Sequence, residues 1–217
     1  MSKAKALVLD FGGVISKSPF ETHAATERAL GLPAGTLTWR GPFDPDSDPL
    51  WQAMQADELT EREYWLQRTK EVGELVGEQW GNMSDFLIAA RGEAPAEIIR
   101  PEFLQIMAKA KSSGCITAVL SNELDLFYGA DFRHKLDFIT DFDVIHDATY
   151  TKTLKPDPIA YANICEQLKL PASACVFVDD QKRNIDGAVQ AGMQVVHFDV
   201  MNPQSSFEQA ANMLGIA

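Results

Sequence analysis

Four short apolar runs, each closed by polar or turn-forming residues, restrict this 217-residue chain more than any other feature. The first, LVL, runs into Asp10 and then Gly12-Gly13; ITAVL (116–120) runs into Ser121-Asn122; CVFV (175–178) runs into Asp179-Asp180; QVVHF (194–198) is the fourth, and FDVI (142–145) is a weaker candidate. The first and third are apolar throughout rather than alternating, which suits strands covered on both faces. Between the runs, DPIAYANICEQLKL (157–170) places Ile159, Ile164 and Leu168 near helical spacing, and NIDGAVQAGM (184–193) reads as a helix closing at Gly192. Strands alternating with helices of this length predict an α/β fold built from parallel βαβ units.

Residues 16–92 have another texture. They hold all four tryptophans (Trp39, Trp51, Trp65, Trp80), many acids and no convincing strand. Thr60 and Glu63 match a capping box that opens a helix through TEREYWLQRTKEV. GPFDPDSDP (41–49) is turn chemistry, with Asp48 a candidate N-cap before Pro49. The expected division is a core of residues 1–15 and 93–217 interrupted by a helical insertion over 16–92. Within the insertion Trp39, Arg40, Phe43, Trp51 and Trp65 read either as the lining of a specificity pocket or as packing, and packing is the simpler reading for each. His23, His134, His146 and His197 have no metal-ligand spacing, and Arg183 is expected to be solvated in a loop.

A formal charge of −12 and a pI near 4.7 argue against a nucleic-acid or anionic-membrane surface. A small phosphorylated ligand needs only local positive charge and stays allowed. No apolar run approaches the ~20 residues of a membrane span, and the N-terminus lacks a basic lead into a cleavable apolar segment. Cys115, Cys165 and Cys175 are odd in number and without C-x-x-C spacing. They read as reduced thiols of a cytoplasmic protein.

Ligands of open parallel sheets bind beyond the carboxyl ends of the strands. Collected there, Asp10, Ser121-Asn122, Asp179-Asp180 and Lys155 (in LKPDP) would supply carboxylates, a hydroxyl, an amide and an ammonium. Carboxylates favour hard cations such as Mg²⁺, which binds one or two of them together with phosphate oxygens and water. Lysine and hydroxyl suit the remaining phosphoryl oxygens. Each piece alone also reads as a cap, a turn former or a surface residue. The adjacent acids at 179 and 180 repel one another unless a cation sits beside them.

The order DFGGV (10–14), LSN (120–122), KPDP (155–158) and DDQKRNIDGAVQAGM (179–193) resembles the haloacid-dehalogenase-like hydrolases over nearly the whole core. The resemblance implies a Rossmann-like three-layer core with a parallel sheet, a helical cap inserted after the first motif that closes over the site, and a nucleophilic Asp10. Mg²⁺ would be held by Asp10, the Gly12 backbone carbonyl and an acid of the last motif, with Asp180 the direct ligand by position and Asp179 beside it. Lys155 would act with Asp10 in catalysis, and Ser121, Asn122 and Gly13 would bind the phosphoryl group. The implied activity is Mg²⁺-dependent hydrolysis of a small phosphorylated metabolite through an aspartyl phosphate; a homodimer is left open.

One position departs from the pattern. Phosphatases of this family usually carry a second aspartate two residues after the nucleophile, acting as acid and then base. Here that position is Gly12. The chain therefore resembles the α-glucose-1-phosphatase-like branch and its neighbours near the N-terminal phosphatase domain of epoxide hydrolase, although that domain keeps the second acid. Two alternatives follow: a metal-free 2-haloacid dehalogenase using the same nucleophile, or a catalytically weak binding or regulatory protein. Asp179-Asp180 favours the phosphatase, because dehalogenases have small polar residues there.

Overall fold

The computed structural model describes residues 4–91, 95–122 and 124–216. Five parallel strands form one sheet: β1 (Ala6–Leu9), β2 (Ile116–Ser121), β3 (Val144–Asp147), β4 (Cys175–Asp179) and β5 (Gln194–His197), in the order β3-β2-β1-β4-β5. Alternate residues of β1 serve opposite faces. Ala6 and Val8 join Ala118, Leu120 and Phe177 beneath the helices Pro158–Leu168 and Lys182–Gln190, through Tyr161, Ile164 and Ile185. The helices Pro101–Ser112 and Pro203–Leu214 also pack on the sheet, burying Phe103, Ile106, Phe207 and Leu214. This is the α/β fold expected from the apolar runs, with the Rossmann-like parallel sheet that the resemblance implies.

Register then places the chemistry. Leu9 lies opposite both Val119 and Val178, so the chain leaves β1, β2 and β4 at one edge, carrying Asp10, Ser121-Asn122 and Asp179-Asp180 with it. The weak run FDVI is shifted by two residues: β3 ends at Asp147, which is buried and accepts from the amides of Leu124 (3.2 Å) and Thr149 (2.9 Å) and from Arg133 Nη2 (2.5 Å).

Two compact units divide the chain. The first runs to Lys17, resumes at Ile98–Leu124 and again from Arg133 onward; the second is Ser18–Glu97 with Asp125–Phe132. The segment Asp125–Phe132 belongs to the helical unit although its sequence lies amid the sheet, and the boundary expected between residues 92 and 93 falls outside the described residues. In the second unit Phe20 is ringed by Trp39, Trp51 and Trp65, with centroids 5.5, 5.3 and 5.1 Å away. Those three indoles are core, as the packing reading has it; Arg40 is exposed and Phe43 half-buried. Thr60 and Glu63 form the expected capping box on the helix Glu61–Leu75, the Thr60 amide donating to Glu63 Oε2 at 2.7 Å and the Glu63 amide to Thr60 Oγ1 at 3.2 Å. Asp48 caps the helix Pro49–Gln55.

Arg183 corrects its expectation: it lies in the first turn of the helix Lys182–Gln190 and is half-buried, because that helix starts three residues after β4. All three cysteines are free thiols. No helix among the described residues is long and apolar enough to cross a membrane.

Candidate active site

Asp10 leaves β1 with its amide bonded to the Val178 carbonyl at 2.9 Å, so its position is tied to β4. Beyond it Phe11–Ile15 coils tightly, the Ser16 amide returning to the Phe11 carbonyl at 2.9 Å. Gly12 has φ −70° and ψ 128°, a conformation open to any residue. Gly13 has φ +79°, and a Cβ there would stand 2.6 Å from Asp180 Oδ2. Position 13 therefore requires glycine for both reasons.

Lys155 reaches this edge from the segment before the helix Pro158–Leu168. Its Nζ donates to Asp10 Oδ1 at 2.8 Å and to Asp179 Oδ2 at 2.7 Å, and its side chain is 1% exposed. Burial alone disfavours the ammonium, but the two carboxylates outweigh it and hold the lysine pKa above its ordinary value. The charge is permanent at any working pH. Asn122 fixes where the lysine enters: its carbonyl accepts from the Lys155 amide at 2.7 Å, and its NH₂ donates to the Lys155 carbonyl at 3.1 Å.

The acids at the end of β4 differ. Asp179 is fully buried and accepts from Lys155, from the Gln181 amide at 2.8 Å, and from Asn184 Nδ2 at 3.1 Å to each oxygen. Asp180 is partly exposed and packs its carboxylate on the bare side of Gly13. Asp10, Asp179 and Asp180 each place a carboxylate oxygen within 4.8 Å of the others. Three carboxylates therefore converge on one point beside the Lys155 ammonium, which bonds two of them. Such a donor set fits a hard divalent cation. Ser121 ends β2 and is buried.

Two residues of this arrangement had no role assigned from the sequence, one of them inside the last motif. Asn184 stands five residues after Asp179, and the start of the helix Lys182–Gln190 turns its amide back onto that carboxylate. Arg100, 87 residues from the loop it holds, donates from Nε (3.1 Å) and Nη2 (2.9 Å) to the Gly13 carbonyl. Its only sequence mark is a position before Pro101 and an apolar helix.

The model of the haloacid dehalogenase-like hydrolases matches residues 4–192. The chain belongs to that family. Acyl-CoA dehydrogenase family member 10 of Mus musculus is 26% identical to this hydrolase over 211 residues, covering 97% of the chain and 19% of the mouse protein. (S)-2-haloacid dehalogenase 4A of Burkholderia cepacia is 30% identical over 129 residues, 59% of the chain and 54% of that enzyme. The hydrolase chain thus spans about a fifth and about half of these two relatives. Among solved structures, a candidate β-phosphoglucomutase of Thermotoga maritima superposes with a TM-score of 0.60, covering 96% of this chain and 99% of the other at 16% identity. That likeness is one of fold.

Proposed function

We propose that this hydrolase is a Mg²⁺-dependent phosphohydrolase acting on a small phosphorylated metabolite, with Asp10 as nucleophile. One observation carries the reading: three carboxylates place oxygens within 4.8 Å of one another, with Lys155 bonded to Asp10 and Asp179 and Asp180 packed against Gly13. Asp10, Asp180 and the Gly12 carbonyl are the groups to hold the cation, which when bound supplies positive charge to the phosphoryl oxygens. Asp179 is a positioning residue, since its oxygens already accept from Lys155, Gln181 and Asn184.

The chain's own groups then account for two displacements. A carboxylate oxygen of Asp10 attacks phosphorus, the bond to the leaving oxygen breaks, and its electron pair departs with that oxygen. Water attacks the acyl phosphate next; the bond to Asp10 breaks, giving inorganic phosphate and the carboxylate again. Lys155 holds Asp10 Oδ1 so that the other oxygen is presented, and its permanent charge offsets charge gathering on the phosphoryl group. Ser121 and the Gly13 amide are the donors for the phosphoryl oxygens, and Asn122 serves them by placing Lys155. No side chain at Gly12 protonates the departing oxygen, so good leaving groups are favoured.

The relative named a haloacid dehalogenase supports a second reading, in which Asp10 displaces halide from carbon with no metal. The two separate in EDTA. Hydrolysis of 4-nitrophenyl phosphate with Mg²⁺ that stops on chelation is the expected result. Halide release from a 2-haloacid that persists in EDTA would reverse the assignment.

A further inference from the structure

The loop that carries Asp10 is stapled by a residue outside every motif. The Arg100 amide donates to the Ile15 carbonyl at 3.0 Å, Ile99 bridges Ser16 in antiparallel fashion, and the Lys17 amide donates to the Ile98 carbonyl at 2.7 Å. On this frame Arg100 is 3% exposed as a residue; its guanidinium carbon lies 5.4 Å from the Phe198 ring centre, and Nε and Nη2 both donate to the Gly13 carbonyl. Burying a guanidinium is costly, whereas a carbonyl of one loop is ordinarily satisfied by an amide or by water. The cost marks the place where the loop most needs restraint.

Glycine explains why. Gly13 must lack a side chain because Asp180 occupies that space, and a residue without a side chain has the widest choice of backbone angles. The requirement that admits Asp180 also loosens the peptide that Asp180 rests on. We propose that Arg100 is a positioning residue for the nucleophile loop: by holding the Gly13 carbonyl it keeps Gly13 in one conformation, and through it the wall on which Asp180 packs and the setting of Asp10. The inference rests on the phosphohydrolase reading for its kinetic consequence, not for its structural one.

Arg100→Met keeps most of the aliphatic bulk and removes both donors; Arg100→Lys restores one. Amide hydrogen exchange is measured on the metal- and substrate-free proteins, and turnover of 4-nitrophenyl phosphate on the same samples with Mg²⁺. In Arg100→Met the amides of residues 11–16 should exchange about tenfold faster, with those of β1 unchanged, as for a local opening. The kcat should fall about 10²-fold, as expected for a misplaced reacting group, with KM within about threefold. Arg100→Lys should recover part of both. Unchanged exchange at residues 11–16, or faster exchange spread equally over β1, overturns the proposal. If the parent hydrolyses no phosphate ester, the function assignment fails, and the exchange pattern alone decides the role of Arg100.

Discussion

Each unit of the molecule buries an aspartate against a cation, and the two clusters are built to opposite ends. In the helical unit Asp48 is fully buried and accepts from the Gly41 amide (3.2 Å), the Trp51 amide (2.9 Å), Tyr64 Oη (2.7 Å) and Arg68 Nη2 (2.5 Å). Asp48 thus meets one guanidinium and three neutral donors beside the tryptophan-rich core, and the same guanidinium donates from Nη1 to Glu71 at 2.7 Å. The two acids lie at opposite ends of one cation instead of converging on one point. In the sheet unit three carboxylates place oxygens within 4.8 Å of one another, Lys155 bonds Asp10 and Asp179, and Asp179 also accepts from Gln181 and Asn184. Buried charge by itself therefore marks no function, since both units have it. Carboxylates that converge on one point are what distinguishes the sheet unit, and that donor set fits a hard divalent cation.

The contrast breaks first at Asp10. Asp10→Asn removes the proposed nucleophile and keeps the shape, so on the phosphohydrolase reading turnover of 4-nitrophenyl phosphate should fall by about 10⁴-fold or more, while denaturant unfolding shows stability equal to the parent or above it. Arg68→Met should do the reverse. Stranding Asp48 in the helical unit should lower unfolding free energy by about 3–5 kcal/mol, the usual result of removing one partner of a buried pair, read as a shifted denaturation midpoint. If Arg68→Met left stability intact, the two clusters would not differ in kind.

Two smaller effects sharpen the comparison. Gly12 lies in backbone space open to aspartate, so Gly12→Asp should raise kcat/KM for alkyl phosphates by about one to two orders of magnitude, within the range of a positioned acid. Aryl phosphates should gain little. A parent whose log kcat/KM is flat against leaving-group pKa would show that protonation is already supplied. In the helical unit His23 is pushed down to about 4 by burial, and its ring meets Trp39 edge-on at 4.3 Å. Its unfolded form takes up a proton near pH 6.5, which the folded form resists. Folding stability therefore falls as pH drops from 6.5 towards 4. His23→Phe should narrow that fall, seen as a Tm gap to the parent that shifts in the variant's favour between pH 7 and pH 4.5.

Legibility followed distance along the chain. Asp10, Ser121 and Asp179-Asp180 each end a strand, and parallel register alone brings strand ends to one edge, so an apolar run and its last polar residue sufficed to read them. Lys155 was readable only through its motif. What escaped was set by tertiary contacts with no local period: the grip of Arg100 on Gly13 and the turn of Asn184 onto Asp179. Asp48 was legible as a cap from Pro49, but its guanidinium partner, 20 residues on, was not. The segment Asp125–Phe132 reads as part of the core and joins the helical unit instead.

The carboxylate cluster as a cation site is tested most directly by calorimetric titration of the metal-stripped protein with Mg²⁺, beside Asp180→Asn and Asp48→Asn. The account predicts one Mg²⁺ per chain for the parent, binding lost in Asp180→Asn, and binding kept by whatever fraction of Asp48→Asn is folded. A parent that takes up no Mg²⁺, or an Asp180→Asn variant that binds it as the parent does, would contradict it.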